Sequence, residues 1–390
     1  MTNFDTIIDR RNTNSLKYDF AKERKRPEDV LPLWVADMDF QVAEPILEAM
    51  KQTLSHGIFG YSEAKEDYFH SVHKWVQKHY GWDTKADWLI KTPGIVYAIA
   101  MAIQGLTKEG DAVLIQQPVY YPFSETVVDN HRKLVNNQLV YENGKYHIDY
   151  EDFERKIVEN NVKLFLLCNP HNPVGRVWTK EELMKLTNIC LAHNVIILSD
   201  EIHADFVYKG YHHTNLATLS KEVEQNVIVC TSPTKTFNIA GLQISNIFIP
   251  NEEIRKKFKH AVDASGYSQV NTFGLVACKA AYDKGEEWLA ELKEYLQGNL
   301  EFLRDFFQKE LPQLDLIEPE GTYLIWFDCS RLNLTAKGLE DLIVNRSKLW
   351  LDRGGMFGKE TVQFQRINIA CPRATLKQAL EQLKKGIESL

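Results

Sequence analysis

Apolar residues in this chain fall into two patterns. Four short runs are apolar almost without interruption, at 112–115, 164–168, 195–199 and 227–230. Runs of that length bounded by turn residues predict strands buried on both faces. Between several of them, apolar residues recur every three or four positions, as over 180–193, which predicts amphipathic helices. A helix is also expected from a Ser62 cap to about Tyr80, closed by Gly81, and another over 94–106 with small and aliphatic residues on most sides. Strand, helix, strand in this order predicts an α/β fold with a mainly parallel central sheet covered on both faces.

The rhythm changes near residue 286. A long helix over 286–309 leads into a strand over 322–328, a helix over 337–347, a strand over 362–370 and a last helix. A second, smaller α+β domain is expected there. A chain of 390 residues exceeds one ordinary core. The division predicted is 46–285 for a large domain, and 1–45 with 286–390 for a small domain that includes an N-terminal arm.

Charge and composition narrow the partners. A formal net charge of −7 disfavours bulk attraction to nucleic acid or anionic lipid. The N-terminal stretch is charged throughout, without the apolar core of a secretory signal, and no apolar run is long enough to span a bilayer. The six cysteines form no C-x-x-C pair, and several lie in apolar runs, which fits reduced thiols in a cytoplasmic protein. His212 and His213 are adjacent rather than spaced for a helix-borne metal pair, so no metal is expected.

In an open parallel sheet, ligands gather at the carboxyl ends of the strands. Asn169-Pro-His-Asn-Pro-Val-Gly175 follows one buried run, Asp200-Glu-Ile-His203 the next, and Thr231-Ser-Pro-Thr-Lys-Thr-Phe-Asn238 the third. Three strand ends thus deliver an amide, a carboxylate and a lysine flanked by hydroxyls. Pyridoxal 5′-phosphate (PLP) requires such a set: an amine for its aldehyde, a carboxylate for its ring nitrogen, an amide donor for its phenolic oxygen, and hydroxyls or helix-start N–H groups for its phosphate.

These motifs, in this order and spacing, resemble the fold-type I PLP-dependent enzymes of the class I/II aminotransferase superfamily. The resemblance extends to Phe59-Gly-Tyr61-Ser62, Gly94 before a helix, Pro118-Val-Tyr120, Arg353-Gly-Gly-Met-Phe-Gly358 and Arg366-Ile-Asn-Ile-Ala-Cys-Pro-Arg373. Asp9-Arg-Arg-Asn-Thr-Asn-Ser-Leu-Lys-Tyr-Asp19 and Leu33-Trp-Val-Ala-Asp-Met-Asp-Phe40 resemble the bacterial cystathionine β-lyase (C–S lyase) branch, the MalY/PatB group, with Tyr18 where that branch usually has Trp.

The resemblance implies a role for each site residue. Lys235 would carry PLP and act as acid and base at the substrate Cα. Asp200 would hold the ring nitrogen, though it also suits a helix cap. Asn172 would bond the phenolic oxygen while serving as a turn residue. Tyr120 would stack on the ring, and Tyr121 beside it reads as a wall aromatic. The N–H groups of Gly94, Ile95 and Val96 would bind phosphate, with the hydroxyls of Ser232 and Thr234; Gly94 reads equally as a turn glycine. Tyr61 would reach the phosphate of a partner subunit, implying a homodimer with shared sites, and reads nearly as well as a buried tyrosine. Arg373 would hold the α-carboxylate, its alternative being an arginine near the cap of the last helix. The backbone of Ala36 would be a second carboxylate contact, and Arg366 would serve the structure. His203 stands where many aminotransferases carry tyrosine, and its role is open. The expected reaction is β-elimination from a cysteine S-conjugate. The rivals are amino transfer on the same residues and a PLP-binding regulator; the regulator usually needs a DNA-binding module, and none precedes residue 45.

Overall fold

The computed structural model describes residues 2–390. One sheet has seven strands: β1 (Leu89–Thr92), β2 (Ala112–Ile115), β3 (Lys133–Asn136), β4 (Leu164–Cys168), β5 (Ile196–Asp200), β6 (Val227–Thr231) and β7 (Ser245–Phe248). Their spatial order is β1-β7-β6-β5-β4-β2-β3. The strands from β3 through β6 pair in parallel, while β7 runs antiparallel to β6 and to β1.

The unbroken apolar runs become β2, β4, β5 and β6, because both sheet faces are covered. Leu164 and Leu166 of β4 enter one core with the helix Ile95–Leu106, while Phe165 and Leu167 enter the other with the helix Lys180–Ala192. Burial of a leucine on either face contributes about 2 kcal/mol by area. One expectation fails at an edge. The helix predicted from Ser62 begins at Glu66 and ends at Gly81, whose φ is 69°. The Ser62 hydroxyl instead bonds the Thr272 hydroxyl at 2.7 Å, so a tertiary partner displaces the local cap.

A four-stranded antiparallel sheet follows, ordered Asp315–Leu316, Leu324–Asp328, Phe364–Asn368, Asp352–Arg353. It shares a core with the helices Glu286–Glu310 and Arg373–Glu388. Leu31–Pro32 of the N-terminal arm pairs in parallel with Leu349–Trp350, and Trp34 stacks on Trp350 at 4.5 Å. We propose the division at 46–285 against 1–45 with 286–390, which leaves each sheet whole.

All six cysteines are buried and unpaired. No helix among the described residues is long and apolar enough to cross a membrane. Glu201, directly after β5, is fully buried and accepts from the Ser199 hydroxyl, His213, Asn215 and the Leu216 N–H at 2.8–3.0 Å. Glu201→Leu strands these donors without an acceptor and is expected to cost about 3 kcal/mol. A lowered denaturant midpoint, with Glu201→Gln in between, checks this.

Candidate active site

Register places the strand ends side by side: Asp200 of β5 lies between Cys168 of β4 and Cys230 of β6. Lys235 belongs to the single helical turn Pro233–Thr236 that follows β6. Ser232 caps this turn. Its hydroxyl accepts from the Thr234 N–H at 3.2 Å, donates to the Ile244 carbonyl at 2.8 Å and lies 2.7 Å from the Thr234 hydroxyl. Beneath the turn, buried Asp205 accepts from the hydroxyls of Thr236 and Tyr80, both at 2.6 Å. Hydrogen bonds on both sides therefore set where the lysine stem leaves the backbone.

Lys235 Nζ donates to the Ala36 carbonyl at 3.0 Å, and the buried Tyr323 hydroxyl donates to the same oxygen at 2.9 Å. Burial lowers the Lys235 pKa to about 8, against the opposing charge of Asp37. Asp200 is buried, and burial pushes its pKa up to about 7. It accepts one hydrogen bond, from the Ile202 N–H at 3.1 Å, and forms no ion pair with any described residue. Burial, reinforced by the charges of Lys235 and Arg366, lowers the His203 pKa to about 3, so its imidazole is neutral at physiological pH. The His203 ring meets Tyr323 edge-on at 6.0 Å, and its Nδ1 has no partner.

Asn172 and Tyr120 are joined through the backbone, the Tyr120 N–H donating to the Asn172 carbonyl at 3.1 Å. Tyr120 is half-buried, and burial raises its hydroxyl pKa. The Asn172 side-chain oxygen accepts from Arg366 Nη1 at 2.8 Å, while its amide nitrogen donates to no described residue.

The two arginines of the last motif lie in different surroundings. Arg366 lies fully buried in the strand Phe364–Asn368, where it bonds Asn172, pairs with Asp352 and donates to the Trp34 carbonyl at 3.1 Å. Its Nε is buried without a partner. Arg373 begins the helix Arg373–Glu388; its Nε donates to Asn299 at 2.6 Å and its guanidinium lies over Phe302. The reason is local. Pro372 starts a helix at residue 373, and the Glu286–Glu310 helix takes its side chain. A readable signal existed: Arg366 falls inside the strand expected over 362–370, and an arginine there needs a purpose.

Gly94 precedes the helix Ile95–Leu106 and no side chain caps it, so the first N–H groups, those of Ile95 and Val96 included, are free of helical acceptors. Tyr61 is 95% exposed within a segment where Ile58 and Phe59 are exposed too. No hydrogen bond joins Tyr61 to Lys235 of its own chain. Tyr323, Asp352, Asn238 and Asn368 complete the surroundings. The sequence assigned none of them a role, because the partners of Tyr323, Asn238 and Asn368 lie about 200 or more positions away and that of Asp352 on the next strand of its sheet.

These groups fit PLP. A buried carboxylate without a protein cation suits a protonated ring nitrogen. The uncommitted amide of Asn172 suits a phenolate oxygen, an open helix start suits a phosphate, and a lysine with a lowered pKa suits an aldehyde.

Comparison with known proteins gives the family. The model for aminotransferase class I and II matches residues 28–383. Cystathionine beta-lyase PatB of Bacillus subtilis is 41% identical over 385 residues, covering 99% of this chain and 100% of that protein. Among solved structures, cystalysin of Treponema denticola, which contains PLP, superposes with a TM-score of 0.96 at 36% identity, covering 100% of this chain and 99% of that one. The PLP-bound C–S lyase of Staphylococcus hominis gives 0.92 at 34% identity, covering 99% and 98%.

Proposed function

The chain belongs to the class I and II aminotransferase family, and from that premise we propose that it is a PLP-dependent carbon–sulfur β-lyase. It cleaves L-cystathionine and related S-substituted cysteines to a thiol, pyruvate and ammonia. The observation that carries this reading is the 41% identity, along both chains, to a protein named for that reaction. PLP, when bound, supplies an aldehyde for amines and a protonated ring that withdraws electrons from the substrate Cα.

The rest is work for the chain's own residues. Lys235 holds the cofactor and moves the Cα proton; a pKa drawn to about 8 suits a base near neutrality. Asp200 keeps the ring nitrogen protonated by its charge. Asn172 donates to the phenolic oxygen, and Tyr120 lies against the ring. Gly94, Ile95 and Val96 present N–H groups to the phosphate, with Ser232 and Thr234 shaping the far wall. Arg366 takes the α-carboxylate, the part first expected of Arg373, and the Ala36 N–H assists. His203, held neutral, adds no charge beside Lys235.

The exposed segment around Tyr61 supports a homodimer in which each copy lends that tyrosine to the other's phosphate site. Six buried, unpaired thiols suit the reducing cytoplasm.

Incubation of the holoenzyme with L-cystathionine and no keto acid is expected to release pyruvate and thiol in equal amounts over many turnovers. Amino transfer that begins only when a keto acid is added would instead make the chain an aminotransferase.

A further inference from the structure

The strap from Trp34 to Phe40 has no helix or strand of its own, yet it is held on two sides. On its inner side, Asn238 accepts from the Met38 N–H at 2.9 Å and donates to the carbonyls of Met38 and Phe40 at 3.0 and 2.9 Å. Asn368 donates to the carbonyls of Val35 and Asp37 at 2.7 and 2.6 Å. Asn238 follows the helical turn that carries Lys235, and Asn368 shares a strand with Arg366, so both clamps are built on segments that carry the site.

On its outer side lies a compact ion cluster. Asp39 accepts from Arg10 Nη1 at 2.8 Å, Lys17 Nζ at 2.8 Å and the Tyr18 hydroxyl at 3.0 Å. Asp37 accepts from Arg10 Nη2 at 2.6 Å and lies 3.6 Å from Lys17 Nζ. The Lys17 side chain is 0% exposed and that of Asp39 5%. Two cations and two anions balance, so the cluster has no net charge to offer a ligand. Apolar packing would anchor an arm with less desolvation cost. Charges add register: they grip positions 37 and 39 and leave the Ala36 peptide between the cluster and Lys235. The Ala36 carbonyl is taken by Lys235 and Tyr323, while its N–H donates to no described residue.

We propose that Arg10, Lys17, Asp37 and Asp39 form a latch that fixes the Ala36 peptide for the substrate's α-carboxylate, which makes Arg10 and Lys17 positioning residues for the reaction. This rests on the reading of Ala36 as a carboxylate contact. Arg10 is the member to change first, because its side chain is 25% exposed.

The test compares two ligands on wild-type and Arg10→Met holoenzyme, followed by cofactor absorbance: S-methyl-L-cysteine, and S-methylcysteamine, which lacks only the carboxylate. Binding of the amino acid is expected to weaken about tenfold, with KM rising in step and kcat holding within about twofold, while the amine's affinity moves less than about twofold. Arg10→Lys should recover most of the loss. Strap amides in the variant apoprotein should exchange hydrogen faster than in wild type. Equal weakening of both ligands, or of neither, would overturn the latch. If Arg10→Met does not fold, Asp37→Asn, which leaves Asp39 to pair both cations, takes its place under the same criterion. Wild-type turnover of cystathionine is scored separately. Its absence, with the loss of carboxylate discrimination intact, would sink the lyase reading and spare the latch.

Discussion

Lys235→Ala holoenzyme is expected to turn over L-cystathionine at less than about a thousandth of the wild-type rate, the scale of losing a positioned general base together with covalent anchorage. The substitution removes one hydrogen bond, to the Ala36 carbonyl, while the turn that carries residue 235 keeps its Ser232 cap and its Asp205 anchor. The fold should therefore survive, and far-ultraviolet circular dichroism and a melting curve check that it does. The absorbance band of lysine-bound cofactor should vanish, and gel filtration should strip the cofactor. A small amine such as methylamine, added to the variant, should restore part of the proton transfer. Full activity in Lys235→Ala would remove the whole assignment.

Exchange of the two C-terminal arginines carries the second large effect. Arg366→Lys is expected to lower kcat/KM for cystathionine about a hundredfold, mostly through KM. A guanidinium meets a carboxylate with two parallel donors, and losing such charge-assisted bonds costs about 2–3 kcal/mol. Lysine retains a cation for buried Asp352, so stability suffers less than with alanine, which would leave that carboxylate unpaired. Arg373→Lys should stay within about threefold of wild type, since that guanidinium is spent on Asn299 and Phe302. Steady-state kinetics on the pair decides the matter. A large loss in Arg373→Lys with little in Arg366→Lys would return the carboxylate role to Arg373.

The contrast between these arginines marks where one-dimensional reading stops. Both sit in Arg366-Ile-Asn-Ile-Ala-Cys-Pro-Arg373, and a linear motif ranks neither by direction. Pairing of the strand Phe364–Asn368 with Leu324–Asp328 and Asp352–Arg353 turns residue 366 inward to Asn172, which lies 194 positions earlier. The helix start at Arg373 turns the other side chain onto Asn299. His203 shows the same limit. Its type was visible, but its neutrality comes from enclosure beside Lys235 and Arg366.

What the sequence determined by itself was local. Unbroken apolar runs specified buried parallel strands, because a strand covered on both faces has no polar side to alternate. Lys235, Asp200 and Asn172 stood out as candidates because each lies at or shortly after the carboxyl end of such a run, so chain connectivity alone carries them to one end of the sheet. Tertiary structure decided everything that depends on contact between distant segments. It set the contact of Arg366 with Asn172, the Tyr323 hydroxyl on the Ala36 carbonyl, and the burial of Lys17 in a polar arm against Asp39. Burial also shifts Asp200 and Lys235 toward neutrality. Desolvation and hydrogen-bond geometry are properties of an enclosure, and they exist only once the sheets, the strap and the arm have closed around these groups.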